Sequence, residues 1–158
     1  MHAAPDPEVV ELALPARPEV VSVARLVIGA IVASDPLFDD ERGADLRLAV
    51  SEACTNAIQA QLAADERTAV PPVGLPILMR CTVGVGCIDV VVTDHAGGFD
   101  PSTLVPHPEV TDPARLEYEG GLGIPLLRML TDHVEFRPTG DGTEVRMRFE
   151  PHGDPVRG

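Results

Sequence analysis

The chain contains no lysine: all 12 of its basic residues are arginine, against 25 acidic residues, which gives a formal charge of -13. A Walker A phosphate loop, the strand lysine of eukaryotic-type protein kinases and a Schiff-base lysine are therefore excluded. The strong acidity disfavours non-specific binding to nucleic acid or to an anionic membrane, because both are polyanions. Aromatic residues make up only 3% of the chain, which disfavours a base-stacking surface.

Cysteines and long apolar runs are also scarce. The three cysteines, Cys54, Cys81 and Cys87, have neither an even count nor metal-type spacing. They favour reduced thiols in a cytoplasmic protein, and we expect them to be small buried hydrophobes. No apolar run approaches the ~18 residues of a membrane span, and the first residues do not resemble a signal peptide. We therefore expect a cytoplasmic location without membrane contact.

The length and the hydrophobic periodicity predict one domain at about 8–150, between a flexible N-terminus at 1–7 and a flexible tail at 151–158. The predicted element order is β-α-α-β-β-loop-α-β-β, which does not alternate as a Rossmann fold does. It predicts an α+β fold, a two-layer sandwich with helices on one face of a mixed or antiparallel sheet. The predicted elements are an edge strand near 9–14, helices at 18–34, 39–64 and from 123, and strands at 77–83, 88–93, 134–137 and 143–149. The predicted apolar stripe of the first helix consists of Val20, Val23, Val27, Ile28 and Ile31.

A carboxylate and an amide share one face of the second predicted helix. Glu52 and Asn56 are four residues apart and border the predicted apolar stripe of that helix, which consists of Leu46, Val50, Ala53 and Ala57. The amide oxygen of an asparagine suits Mg²⁺, and a glutamate can take a proton from an attacking hydroxyl. The plainer alternative is that both are ordinary helix-surface groups.

An aspartate directly follows the second strand of the predicted hairpin. Asp94 precedes the run His95-Ala96-Gly97-Gly98, so a fixed acceptor lies beside a backbone that a ligand can approach closely. The exocyclic amine of a purine is a natural donor to such an acceptor. The alternative is a turn that merely ends the strand.

A third segment, Gly120-Gly121-Leu122-Gly123, leads into the last predicted helix. Glycines before a helix N-terminus expose backbone N–H groups at the positive end of the helix dipole, an arrangement that binds phosphate without any lysine. The same pattern also fits a simple helix start.

The order and surroundings of these segments resemble the GHKL ATPase superfamily. Within it, the runs LRLAVSEACTNAI, VVVTDHAGGFDP, GGLGIPLLRMLTDHVEF and GDGTEVRMRF are similar to the RsbW-like anti-sigma factor serine kinases. The resemblance covers about residues 8–150 and implies the Bergerat-type ATP-binding fold. It also implies ATP and Mg²⁺ as cofactors.

The resemblance assigns roles to matching positions. Glu52 corresponds to the general base and Asn56 to the Mg²⁺ ligand. Residues 100–119 correspond to a flexible lid over the nucleotide. The remaining correspondences are Asp94 to the acceptor for the adenine amine, Gly98 to the adenine pocket, Gly121 and Gly123 to the phosphates, and Thr143 to the adenine end.

The resemblance further implies a cytoplasmic homodimer that binds a sigma factor and phosphorylates serine or threonine on a STAS-type anti-sigma-factor antagonist. It implies no direct binding of nucleic acid or membrane. The phosphorylated antagonist would be released from its interface with the kinase, because the phosphate adds about -1.5 to -2 charge and the kinase surface is acidic.

The chain departs from the family pattern at three places. Ala96 stands where the first glycine of the DxGxG box belongs, and Ala60 replaces a common histidine. The predicted lid is acidic at Glu117 and Glu119, with Arg115 as its one arginine. Two alternatives therefore stay open: a catalytically degenerate interaction module of the same fold, and a detached histidine-kinase-like catalytic domain.

Overall fold

A five-stranded antiparallel sheet with strand order β1-β2-β3-β5-β4 organises the fold. The computed structural model describes residues 3, 5–67, 74–97 and 123–153. The strands are β1 (Glu8–Leu14), β2 (Ile77–Gly84), β3 (Cys87–Asp94), β4 (His133–Pro138) and β5 (Thr143–Phe149). The helices are α1 (Val21–Ala33), α2 (Asp40–Arg67) and α3 (Gly123–Leu130).

The helices cover one face of the sheet, so the predicted two-layer α+β class is confirmed. Alternate residues of the central strands are buried, as Ile88, Val90 and Val92 are in β3, because successive side chains point to opposite faces. Every strand pairing is antiparallel. No helix among the described residues is long and apolar enough to cross a membrane.

Helix α2 forms the spine of the helical layer. Its predicted apolar stripe, Leu46, Val50, Ala53 and Ala57, is fully buried. The N-terminus follows from Asp39, whose Oδ1 accepts the Arg42 N–H at 2.7 Å and caps an otherwise unpaired donor. The helix continues three residues beyond the predicted end at 64.

Helix α1 differs from its prediction at one position of the apolar stripe. A 3-10 turn, Pro18–Val20, precedes it, and Val23, expected in the stripe, is 44% exposed. The other predicted residues are buried or pack against the core, and Ala24 and Val32 are buried as well. A Cβ on Gly43 of α2 would lie 3.1 Å from the Val32 side chain, so the two helices approach closely at that point.

The cysteines were expected to be small buried hydrophobes, which is right for Cys54 and Cys81 and wrong for Cys87, which is half-buried. Cys87 lies beside the β2–β3 turn, on the sheet face opposite the helices. Burial raises the pKa of both the Cys54 and Cys81 thiols to about 12. Such thiols stay protonated at neutral pH and are therefore poorly reactive.

Arg42 joins the first turn of α2 to the far end of the sheet. Its guanidinium donates to the carbonyls of Glu150 and Leu130, each at 2.8 Å, and to the carboxylate of Asp132. It also lies over the Phe149 ring, 5.5 Å from the centroid. The planar five-donor fork of arginine suits this set of acceptors, and the ion pair holds the C-terminus of α3 against the sheet.

Replacing Arg42 with methionine should lower the unfolding free energy by about 3–5 kcal/mol, because it removes the hydrogen-bond donors of a carboxylate and two carbonyls at a buried position. Urea denaturation measures the loss. Arg137→Met is the matched control, since the Arg137 side chain is 51% exposed and surface ion pairs contribute little. A loss below about 1 kcal/mol for Arg42→Met would show that the cluster is not a structural tie.

Candidate functional site

Asp94 is the last residue of β3 and is almost completely buried, with 7% of its surface exposed. It continues the inward-facing row of Ile88, Val90 and Val92, so its carboxylate lies on the helix side of the sheet. Its Oδ1 accepts the N–H of Ala96 at 3.0 Å and the N–H of Thr143 at 3.3 Å. Its Oδ2 takes part in neither bond.

Burial raises the pKa of the Asp94 carboxyl above its ordinary value. The two backbone N–H bonds and the neighbouring His95 lower it, and Asp141 raises it further, but desolvation remains the largest effect. Among the described residues, both backbone donors bind Oδ1 of this carboxylate. A ligand N–H group that donates to Oδ2 would further stabilise the ionised form.

The β5 backbone comes unusually close to this aspartate. Asp94 is the register partner of Thr143 at the ends of β3 and β5. A Cβ on the preceding residue, Gly142, would lie 1.9 Å from the Asp94 carbonyl oxygen. Only glycine fits there, and its absence of a side chain lets the Thr143 N–H reach the Asp94 carboxylate.

The segment after Asp94 is tied to the β4–β5 turn. The Gly97 N–H donates to the Asp141 carbonyl at 2.9 Å, and Gly97 has φ +86. No non-glycine residue of the described part has a positive φ, so Ala96 is unstrained. The glycine requirement of this turn falls on position 97, and alanine at 96 creates no conflict with the backbone.

A glutamine that the sequence analysis did not single out holds the same segment from the helical layer. The Gln61 side chain, 1% exposed, accepts the His95 N–H at 2.8 Å and donates to the His95 carbonyl at 3.5 Å. It also donates to Asp65 at 3.2 Å, and Asp65 accepts the Gly74 N–H at 3.2 Å. The His95 ring contacts the Pro76 carbonyl at 3.2 Å. The sequence signal that could have identified Gln61 is its position four residues after Ala57, in line with the buried stripe of α2.

The remaining predicted site residues lie on α2, at the start of α3 and outside the described residues. Glu52 and Asn56 are half-buried on α2, and neither is hydrogen-bonded to Asp94 or Thr143. Gly123 is the first residue of α3, which packs against α2. Gly98, Gly121 and the predicted lid at 100–119 lie outside the described residues.

The described groups fit an adenine nucleotide on chemical grounds. Asp94 presents a buried acceptor of fixed orientation, which suits an exocyclic amine and opposes the carbonyl that guanine carries at the same position. The amide oxygen of Asn56 suits Mg²⁺. The N-terminus of α3 suits phosphate because backbone N–H groups and the helix dipole both favour an anion.

The opposite face of the sheet carries a shallow groove of about 500 Å³ that offers no comparable site. Its charged groups already satisfy one another through pairs of opposite sign. The pairs on this face are Arg148–Asp89 at 3.0 Å, Arg146–Glu144 and Arg137–Glu135 at 2.9 Å, and Arg80–Glu11 at 3.4 Å.

Comparison with known proteins decides the family. The model of the histidine kinase-like ATPase domain matches residues 14–149. The chain belongs to this family. The resemblance to the GHKL superfamily drawn from the motifs is therefore confirmed, and the buried Asp94 lies inside the matched ATPase domain.

Curated relatives of this ATPase domain narrow the resemblance to the RsbW-like branch. Serine-protein kinase RsbW of Bacillus pumilus is 33% identical over 147 residues, which cover 90% of this chain and 86% of the relative. Serine-protein kinase RsbW of Bacillus subtilis is 32% identical over 151 residues, which cover 93% and 88%. The similarity to serine kinases of the GHKL type is therefore confirmed.

A solved structure supports the fold of this ATPase domain independently. The RsbU and RsbW domains of a Mycobacterium tuberculosis protein match with a TM-score of 0.62 at 15% identity. The match covers 90% of this chain and 32% of that one. At this identity the likeness concerns the fold alone.

Gly142→Ala should disrupt the site, because the added methyl cannot be accommodated 1.9 Å from the Asp94 carbonyl oxygen without separating β3 from β5. We expect a loss of about 2–4 kcal/mol in unfolding free energy and a loss of nucleotide binding. Calorimetry and thermal unfolding measure both effects. Gly140→Ala is the matched control, since a Cβ there meets nothing within 4 Å. Equal behaviour of the two variants would contradict the close approach.

Proposed function

We propose that this chain is an ATP-dependent serine/threonine protein kinase that also acts as an anti-sigma factor in the cytoplasm. The observation that carries the proposal is the buried carboxylate of Asp94, which the N–H groups of Ala96 and Thr143 orient through its Oδ1. This carboxylate is suited to an adenine amine.

The chain's own groups divide the work between base recognition and transfer. Asp94 would accept from the adenine amine, with Thr143 at the same end of the sheet. Asn56 would hold Mg²⁺, and Glu52, on the same face of α2, would accept the proton of the attacking hydroxyl. When bound, Mg-ATP supplies the phosphoryl group that is transferred to that hydroxyl. Gly98, Gly121 and Gly123 would complete the pocket.

The relatives' name, serine-protein kinase RsbW, supports a protein hydroxyl as the acceptor. By the same similarity we propose a sigma factor and a STAS-type antagonist as partners and a homodimer as the working form. A phosphorylated antagonist would leave because its added negative charge faces a chain of formal charge -13.

A catalytically degenerate interaction module remains the second candidate, favoured by Ala60 and Ala96. The argument from Ala96 is weakened by the backbone conformation, because Ala96 has no positive φ and Gly97 supplies the left-handed residue. Ala60 lies four residues after Asn56 on α2 and bears on phosphate or partner contacts. Its methyl leaves the acceptor for adenine unchanged.

Asp94→Asn should abolish the preference for ATP without destabilising the nucleotide-free fold. The amide oxygen can still accept from Ala96 and Thr143, but the amide N–H₂ opposes the adenine amine. We expect at least a tenfold loss of ATP affinity, measured by calorimetry.

The pH dependence of stability gives Asp94→Asn a second readout. Because burial raises the folded-state pKa of Asp94, the folded chain binds this proton more tightly than the unfolded chain does. The contribution to unfolding free energy is therefore greatest below the unfolded pKa and falls as pH rises through the folded pKa. The variant should lack this decrease and be at least as stable as wild type at pH 7. A less stable variant with unchanged ATP affinity would contradict the assignment.

Glu52→Gln should keep nucleotide and lose transfer, because the amide cannot accept the hydroxyl proton. We expect at least a hundredfold lower rate of phosphoserine or phosphothreonine formation on a STAS-domain antagonist, measured by mass spectrometry with Mg-ATP. Glu66→Gln, exposed near the end of the same helix, should behave as wild type. Nucleotide binding without any transfer by wild type would favour the degenerate module, and an acid-labile phosphohistidine product would favour the detached histidine kinase.

A further inference from the structure

The buried side chain of Gln61 stands out because its hydrogen bonds reach a chain segment 34 residues away. Its Oε1 accepts the His95 N–H at 2.8 Å, while its Nε2 donates to the His95 carbonyl at 3.5 Å and to Asp65 Oδ1 at 3.2 Å. A glutamine with 1% exposure in an apolar stripe is costly unless its polar atoms are satisfied. Here all of its bonds serve one backbone residue and one carboxylate.

His95 directly follows Asp94, so these bonds fix the peptide that carries the candidate adenine acceptor. Other contacts of this segment are Thr143 N–H to Asp94, Gly97 N–H to the Asp141 carbonyl, and the His95 ring to the Pro76 carbonyl. Among the described residues, the Gln61 bonds join the segment to the helical layer. They therefore hold the peptide that follows Asp94 against α2.

Helix α2 also carries the two groups proposed for metal binding and proton transfer. Asn56 and Glu52 precede Gln61 on α2 by about 7.5 and about 13.5 Å along the axis, at 1.5 Å per residue. One continuous helix thus spans from the base-recognition segment to the transfer groups. A displacement of His95 relative to Gln61 would change the distance between the two ends of the nucleotide pocket.

We propose that Gln61 is a positioning residue for base specificity: it orients Asp94 for the amine of adenine and so sets the preference for ATP over GTP. The inference rests on the proposed nucleotide function of this site. The choice of glutamine follows from the need for one acceptor and one donor, because His95 offers an N–H and a carbonyl and Asp65 offers a second acceptor.

Gln61→Glu is the sharpest test, since it keeps the size and the acceptor for the His95 N–H but sets a carboxylate against the His95 carbonyl and Asp65. Calorimetry with Mg-ATP, Mg-GTP and Mg-tripolyphosphate separates the effects on base and phosphates. We expect roughly tenfold weaker ATP binding, with GTP and tripolyphosphate within about twofold of wild type. Adding Asp65→Asn, which restores a donor, should recover most of the preference.

Gln59→Glu is the matched control, because Gln59 is exposed on the same helix and should leave all three affinities unchanged. Gln61→Met is a second variant in case the charged one folds poorly. In the nucleotide-free protein, amide hydrogen exchange at residues 95–97 should accelerate in both Gln61 variants and not in the control.

The outcomes distinguish two failures. An ATP-binding wild type whose preference survives in both Gln61 variants would overturn the positioning role alone. Parallel losses for ATP, GTP and tripolyphosphate, tracking thermal stability, would also overturn it, since a purely structural residue behaves in that way. A wild type that binds none of the three ligands would instead overturn the nucleotide function and, with it, this inference.

Discussion

The close approach of the β5 backbone to the end of β3 is the constraint on which the site depends. Because Gly142 has no side chain, its Cα lies against the Asp94 carbonyl, and the next N–H reaches the Asp94 carboxylate. The same approach brings the β4–β5 turn to the Gly97 N–H. The paired ends of β3 and β5 thereby hold the Asp94 carboxylate as a fixed acceptor on the side of the sheet that faces the helical layer.

Burial of the Asp94 carboxylate opposes folding, because the ionised group loses contact with water. A carboxylate at 7% exposure with a raised pKa is less well solvated than it would be in the unfolded chain. The chain compensates in part with two backbone donors on Oδ1 and leaves desolvation as the dominant effect. Arg42, by contrast, is buried with acceptors on several sides. The fold therefore surrounds Arg42 with acceptors, whereas the backbone donors to Asp94 bind one of its two oxygens.

Much of the fold was predictable because it depends on local patterns. The stripe of Leu46, Val50, Ala53 and Ala57 and the alternation in β3 both report burial through periodicity alone. Val23 was predicted to be buried and is exposed. The sequence of α1 alone does not show that this helix contacts α2 where Val32 lies against Gly43.

The residues of the site could likewise be predicted where the sequence signal is local and not where it depends on distant contacts. The position of Asp94 at a strand end could be predicted, since a strand followed by glycines is a local signal, and the family resemblance implies its role. The contacts of Gln61 could not be predicted, because its partner lies 34 residues away and a single polar residue in an apolar stripe does not identify its acceptor. The conformation at Ala96 could not be predicted either, because the motif marks position 96, whereas the positive φ falls at Gly97.

The absence of lysine limits the groups that could bind phosphate at such a site. On the sheet face opposite the described helices, the arginines of β2, β4 and β5 are paired with carboxylates. In the proposed function, backbone N–H groups, the dipole of α3 and a bound cation would bind the phosphates. A chain of charge -13 repels a free nucleotide polyanion, so Mg²⁺ would serve in binding as well as in chemistry. The same repulsion, short-ranged at physiological salt, would act on a newly phosphorylated partner only while it remains at the surface, which favours release over rebinding.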